Sequence, residues 1–600
     1  MTRRWCFVVG ALLVLTTACG GGIATLINRP GGDGDGPLTP RDPVVHSLVA
    51  ADLRQSGVVE LFALDEGGGP PVLLSPEPDP GGAAADVTLG RFAVAPDGAR
   101  VAFLLARKQP AVEELFVADL RFETAPIKLH PDLGDGQRVV DFDWSPDGAQ
   151  LAFVADLQTA GVPQLFTTTA DGSEPRLALP AEAGPVANAR TIAPQATRAA
   201  FLWSLDSTHL ACATADPALG AYALWVVDAA ATTPRRLAPA LGQGAGLPME
   251  RVFEQAWLPF AWSPDATAAA HLAYLVERAV VPGAGGDPPG HELRIAALDG
   301  SDDRRLSHRL PPSEPPPDVL RFALAPDGRH VAYAATRRDP EQVELWCNAT
   351  SSAAPDFEAR RLSRDGTSGA HALLYRDRDS FAWSPDSQRI AFRGEFDTLG
   401  IVELYVAVPT QSPPTIDRVN TRLRLPGQRV ATFAWAPDSA RIAYVANEIA
   451  LATFELFCAR ADASSLFVVS RADATGDADV LVAPDASAPW FASDDAAIHW
   501  SPDSTRLAWL ADGEVDGRFE AWSALPDGGD RFRLNGSLPS DDSDVCRVTW
   551  LDAATLLYVA DERSVGRFDL WSARADGPLG VALTGAAERG ATTCPRFALR

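Results

Sequence analysis

Two acidic series run through the chain at a spacing that could do chemistry. The first is Asp97, Asp147, Asp206, Asp265, Asp327, Asp386, Asp438, Asp503 and Asp552, most of them directly after a proline and before Gly or Ser. A circle of such carboxylates could gather cations. The alternative is a turn residue, because proline presets φ for a tight turn and the next side chain accepts backbone N–H groups. The place after proline favours the turn. The second series is Glu60, Glu114, Glu292, Glu344, Glu403, Glu455, Glu520 and Asp569, each opening a short apolar run. One acid per unit could make an acidic belt, but the expectation is solvated positions alternating with buried leucines.

Other chemistry lacks the residues it needs. The histidines, His46, His130, His209, His271, His291, His308, His330, His371 and His499, contain no H-x-x-x-H pair for zinc. His209 and His330 share one place in a turn, and the histidines are expected at the surface. Gly366-Thr367-Ser368-Gly369 lacks the spacing of a nucleophile elbow. Asp33 and Asp35 lack the remaining ligands of a calcium loop. Trp144, Trp203, Trp262, Trp383, Trp435, Trp500 and Trp550 could stack sugars, but equivalent tryptophans in successive units are expected to pack unit against unit. No catalytic residue, metal ligand or cofactor is assigned.

The elements that must position these residues come from a repeat. FDWSPDGAQLAF at 142–153, FAWSPDSQRIAF at 381–392 and FAWAPDSARIAY at 433–444 are three of nine copies of one phrase. The copies return about every 56 residues, the mark of units that must stack to bury their faces. Each predicts two strands joined by a tight turn. A third strand follows, as at Glu403-Leu404-Tyr405, and a weaker fourth, as at Arg360-Arg361-Leu362-Ser363. Four short strands per unit describe a β-propeller blade. Residues 44–75 hold the last three strands of such a unit, and 595–600 reads as a first strand with nothing after it. Pairing the two would close one ring of about ten blades and cover two sheet edges. Two smaller propellers are the alternative.

The F-x-W-S-P-D-G/S phrase, with its later (I/L)-A-(F/Y) and E-L-(F/Y/W) segments, resembles the TolB-like, WD-type Asp-containing propeller repeats over about residues 44–600. The resemblance implies an all-β fold. It carries little about function, since propellers host many activities. TolB proteins also carry an α/β domain ahead of a six-bladed propeller, and this chain has a short Gly/Pro/Asp-rich stretch there with more repeats after it.

Residues 1–18 read as a targeting segment: Arg3 and Arg4, an apolar stretch over 7–15, then small residues leading to Cys19. The pattern resembles a bacterial lipoprotein signal, which implies cleavage after Ala18 and lipid attachment at Cys19. Thr16 departs from the aliphatic residue usual there. Gly20, where an Asp is absent, resembles lipoproteins sent to the outer membrane. Residues 19–43 form a Gly/Pro/Asp-rich tether. The mature chain is expected to be exported and anchored at the outer membrane, facing periplasm or cell surface.

The 600 residues carry a net charge of −26 with 46% apolar residues. That is enough apolar material for a large core, and the charge argues against nucleic acid, whose phosphates need clustered Lys and Arg. Beyond the first 20 residues no apolar run reaches the ~18–20 residues needed to span a bilayer. Among the cysteines, Cys347 and Cys458 occupy equivalent places two units apart and should not pair. Cys546 and Cys594 precede the first strands of neighbouring units, and an oxidising compartment would permit a disulfide between them. The expected function is a non-catalytic envelope scaffold binding a protein partner. A carbohydrate- or peptide-binding module is the alternative, and a hydrolase with a loop-built site a lesser one. The membrane is contacted through the lipid anchor alone.

Overall fold

Pro-Asp turns and runs rich in aromatic and β-branched residues build one unit again and again. The computed structural model describes the strands and joining turns between residues 47 and 583; residues 1–46, 584–600 and stretches of the longer loops lie outside the description. One three-stranded sheet is followed by nine four-stranded ones, all antiparallel, with neighbours in space also neighbours in the chain. We number them blades 1 to 10. The fold is an all-β propeller of about ten blades, with no helix among the described residues.

Blade 1 comprises Ser47–Ala51, Glu60–Leu64 and Val72–Leu73. These are the second, third and fourth strands expected there. Blade 7 shows the complete unit: Phe381–Trp383, Ile390–Gly394, Glu403–Val408 and Thr415–Arg418. Because each sheet is a meander, the first-to-second and third-to-fourth turns gather at one end, the turn face. The second-to-third loops and the blade-to-blade connections gather at the other, the loop face.

The core lies between blades. Residues paired across antiparallel strands share a face, so Phe92, Phe103 and Phe116 form one aromatic row in blade 2. That row packs on Leu61 and Ala63 of blade 1. The opposite side of blade 2, with Ala102, Leu104 and Leu115, meets the row Phe142, Phe153 and Phe166 of blade 3. Large rings on one side of each blade thus meet small and aliphatic residues on the other. Each buried ring contributes about 1.5–3 kcal/mol over an exposed one.

Every consecutive pair of blades shares a buried apolar cluster of this kind. The succession has no break at which two smaller rings would part. Phe62 and Leu64 of blade 1 also fall in one cluster with Leu557, Val559 and Leu570 of blade 10. The C-terminal strand expected at 595–600 lies outside the described residues.

Candidate functional site

The first acidic series belongs to the turns. Asp386 Oδ1 accepts the Gln388 N–H at 3.0 Å and the Ser384 hydroxyl at 2.6 Å, while Ser384 Oγ accepts the Arg389 N–H at 2.9 Å. Asp97, Asp147, Asp206, Asp327, Asp438, Asp503 and Asp552 accept the N–H two residues on in the same way. In Asp147 the Ser145 hydroxyl holds the carboxyl below its usual range. Asp265 lies outside the described residues. The turns also join blades. Ser207, Ser387, Ser439 and Ser504 have φ near the left-handed region, at 61°, 63°, 60° and 63°. There each Oγ accepts, at 2.9 Å, the N–H of a turn Asp in the preceding blade: Asp147, Asp327, Asp386 and Asp438.

The tryptophans join blades too. Each indole N–H donates to a carbonyl on the inner strand of the preceding blade: Trp144 to Ala93 at 2.9 Å, Trp262 to Leu202 at 3.1 Å, Trp383 to Ala323 at 3.0 Å and Trp550 to His499 at 3.0 Å. Trp203, Trp435 and Trp500 repeat the bond at 3.2–3.3 Å. Packing between units is therefore their role, as expected.

The second acidic series is not solvated, and this corrects the expectation. Glu60, Glu114, Glu292, Glu344, Glu403, Glu455, Glu520 and Asp569 are all buried. Alternation with buried leucines leaves an acid solvated only where one sheet face is wet, whereas a propeller blade is covered on both faces. Each acid but Glu292, which has Arg294 there, lies two residues before the third-strand member of the aromatic row, on the side turned to the preceding blade. Burial then demands a partner. Glu114 pairs with Lys128 at 3.4 Å, Glu344 with Arg361 at 3.1 Å and Glu403 with Arg418 at 3.4 Å, each cation coming from the fourth strand of the same blade. Glu292 takes Arg294 at 2.7 Å and Arg305 at 3.5 Å. Glu520 takes Arg518 at 3.5 Å and Asp569 takes Arg563 at 3.6 Å. Glu403 also accepts the Tyr405 hydroxyl at 2.8 Å and the Leu423 N–H at 3.2 Å. Six of the eight acids thus form internal ion pairs, and the series is not an open belt.

Two residues beyond the fourth-strand cation comes a second repeated device that sequence reasoning missed. Ser307, Ser363 and Asn420 accept the N–H of Leu293, Leu345 and Leu404, the residue after the acid, at 3.3, 3.2 and 2.8 Å. Ser75, Ser470 and Asn535 do the same for Leu61, Leu456 and Ala521. In blade 2 the acceptor is His130 Nε2, at 3.0 Å from the Leu115 N–H, with Nδ1 placed 2.7 Å from the Pro131 carbonyl oxygen. That pairing fixes a neutral imidazole, and burial keeps its pKa below the usual histidine value. The signal was present as Lys-Leu-His, Arg-Leu-Ser, Arg-Val-Asn and Arg-Leu-Asn at the ends of the fourth strands.

His130 therefore departs from the expected surface position. So does His291, buried at the loop face with Nδ1 2.8 Å from Asp318 Oδ1. His209 keeps its half-exposed turn place, and His330 lies against Trp383. His46, His371 and the segment Gly366–Gly369 lie outside the described residues. Among the described residues no group of three or more His, Cys, Asp or Glu could hold a metal ion. Cys212, Cys347 and Cys458 are free and buried, and burial pushes the Cys458 thiol up to about 12. Cys546 is buried and disulfide-bonded, with its partner outside the described residues. Cys594 and Cys19 also lie outside them.

One cleft of ≈ 420 Å³ opens at the turn face between blades 8 and 9. Phe467, Leu525 and Ala459 give it an apolar lining, with Arg441, Arg460, Thr505 and Asp527 around them. Arg441 is already engaged by Asp438 at 3.1 Å and the Ser504 carbonyl at 2.8 Å. No helix among the described residues is long and apolar enough to cross a membrane.

No known family and no curated protein matches the chain. It is similar to the solved structure of dipeptidyl peptidase 4 from Porphyromonas gingivalis, at 10% identity and a TM-score of 0.46. That likeness covers 78% of this chain and 64% of the other, less than two thirds of its length. It is also similar to an oligogalacturonate lyase in complex with manganese, at 14% identity and a TM-score of 0.33, over 69% of this chain and 96% of that one. At such identities and scores neither likeness bears on activity, and the propeller rests on the sheets themselves.

Proposed function

We propose that the chain is an exported lipoprotein that binds an envelope protein partner and catalyses no reaction. In this reading Cys19 carries the lipid at the outer membrane, residues 19–43 are the tether, and 44–600 form one propeller closed by pairing of 595–600 with blade 1. The observation that carries it is the use of the repeated acids, cations, serines and tryptophans as ties within and between blades. The same residues recur in blade after blade as framework, so the loops that differ between blades are left to make a specific contact. The net charge of −26 supports a partner other than nucleic acid.

Pull-down from solubilised envelopes tests the scaffold role: a stoichiometric protein partner supports it, and retention of glycan alone overturns it. Turnover of a peptide or glycoside panel by the purified chain would overturn the non-catalytic reading in favour of a loop-built hydrolase. The cleft between blades 8 and 9, with Phe467 beside Arg460 and Asp527, favours a second reading, a carbohydrate- or peptide-binding module. Loss of glycan or peptide retention on Phe467→Ala would support that reading.

A further inference from the structure

Two corners of the loop face repeat one arrangement. Tyr444-Val445-Ala446-Asn447-Glu448 lies on the second strand of blade 8, and Tyr558-Val559-Ala560-Asp561-Glu562 runs off that of blade 10. Each glutamate accepts the hydroxyl of the tyrosine four residues earlier at 2.8 Å. Each also reaches the connection from the preceding blade, at the residue after Asn420 or Asn535. Glu448 Oε2 accepts the Thr421 hydroxyl, and Glu562 Oε1 accepts the Gly536 N–H at 2.9 Å. The acid therefore holds the start of the connection against the next blade. A Cβ on Gly536 would stand 2.7 Å from Glu562 Oε2, so glycine lets the carboxyl lie against the backbone there.

Blade 6 closes the same corner without an acid. The N–H of His308, the residue after Ser307, donates straight to the Tyr333 hydroxyl at 2.9 Å. The carboxyls of blades 8 and 10 are thus additions to a corner that can close on neutral groups. Both glutamates are half-buried, and among the described residues neither has a cation in ion-pairing reach.

Near Glu448 stands Glu403 of blade 7, whose charge repels it, with Arg418 shared by Glu403 and Asp397 at 3.4 and 3.2 Å. Glu455 shares that side on the third strand of blade 8, and Arg422, Arg424 and Arg429 of the connection are exposed. Glu562 feels Arg533 of blade 9 and Arg563, the latter held by Asp569 at 3.6 Å. Asp561 beside it accepts the Asp544 N–H at 2.8 Å. Burial holds both glutamates above the usual carboxylate range, and Glu403 adds to this at Glu448. Such a carboxyl takes its proton in the fold before the unfolded chain does. Its stabilisation is complete below the ordinary 4.5 and is lost as pH rises through the folded value. The neutral form keeps every bond. At Glu562 both donors fall on Oε1, which leaves Oε2 for the proton, and at Glu448 a protonated Oε2 donates to Thr421 Oγ1 in turn.

We propose that these two corners are proton-operated fasteners: mild acid docks each connection more firmly on the next blade, and neutral pH loosens it. The device goes beyond the scaffold reading and stands without it.

The test is hydrogen exchange of the full chain at about pH 5 and about pH 7.5, corrected for intrinsic rates. Protection over 420–429 and 533–540 should be several-fold greater in acid. Glu448→Gln, a permanently neutral isostere, should bring the first segment to its acid level at both pH values and leave the second unchanged. Glu562→Gln should do the reverse. The effect should be larger at Glu448, where Glu403 adds to burial, than at Glu562, where Arg533 and Arg563 favour the charge. The wild-type comparison needs no variant to fold. Equal protection of the wild type at the two pH values overturns the proposal, as does a pH effect that survives both substitutions. Lower protection of the glutamine variants at both pH values assigns the carboxylates to plain hydrogen bonding and also overturns it.

Discussion

The indole N–H of Trp383 donates to the carbonyl oxygen of Ala323, 60 positions earlier, and so ties the inner strand of blade 7 to that of blade 6. Trp383→Phe keeps most of the packing and removes the donor, with an expected loss of about 1 kcal/mol. Trp383→Ala also opens a cavity and should cost about 3–5 kcal/mol. Urea unfolding of the two variants separates the bond from the packing; equal losses would show that the bond adds nothing.

The pair of buried Glu403 and half-buried Arg418 predicts coupling. Glu403→Leu leaves the Tyr405 hydroxyl and the Leu423 N–H without their acceptor and Arg418 with Asp397 alone, and should destabilise by about 1–3 kcal/mol. Arg418→Leu should cost less in that background than it does alone, since one of its two carboxylate partners is already gone. Additive losses in the double-mutant cycle would mean that the two side chains do not act together.

Ser387 predicts an unusual order of substitutions. Ser387→Ala removes the acceptor of the Asp327 N–H and keeps a Cβ at φ 63°, so about 1 kcal/mol should be lost. Ser387→Gly loses the same acceptor but relaxes the backbone, so it should cost less. Thermal melts of the two variants decide; glycine worse than alanine would contradict the strain assigned to the left-handed backbone at Ser387.

His130 gives the chain a pH-dependent term. Its folded pKa lies below the usual 6.5, so the unfolded chain takes the proton first as pH falls. The stabilisation is complete above 6.5 and declines as pH drops from there towards the folded value. His130→Asn keeps an acceptor for the Leu115 N–H, as Asn420 and Asn535 do in their blades. The melting temperature of this variant should change less between neutral and mildly acidic pH than that of the wild type.

We expect Cys546 to be joined to Cys594, which would bind the last continuous blade to the segment leading into 595–600. Non-reducing peptide mapping should recover a linked pair containing both cysteines. Cys594→Ser should lower the unfolding free energy by about 2–4 kcal/mol. Recovery of Cys546 linked to any other cysteine would refute the pairing.

The fold was legible because its devices are local. A Ser-Pro-Asp turn between two apolar runs needs no knowledge of the neighbouring blade, and Trp383 and Trp435 announce equivalence by identity. Glu403 and Arg418 were not legible as a pair. The period-two pattern around Leu404 says which residues share a face, but not that both faces are covered. His130, Ser307 and Asn420 hid for another reason: they do one job as acceptors while differing in residue type.

The third strands of blades 3 and 4 carry Gln164 and Ala223 where their neighbours carry an acid, and Leu179 stands where other blades place Ser, Asn or His. The run of blades is therefore unevenly fastened along its outer edge. In amide hydrogen exchange we expect the Leu165 N–H to exchange ahead of those of Leu115 and Leu404, which have such acceptors. Equal protection at the three amides would contradict this. Breathing motions would then begin at blades 3 and 4, leaving blades 7 and 8, where Asn420 and Ser470 hold the third strands, as the tighter stretch.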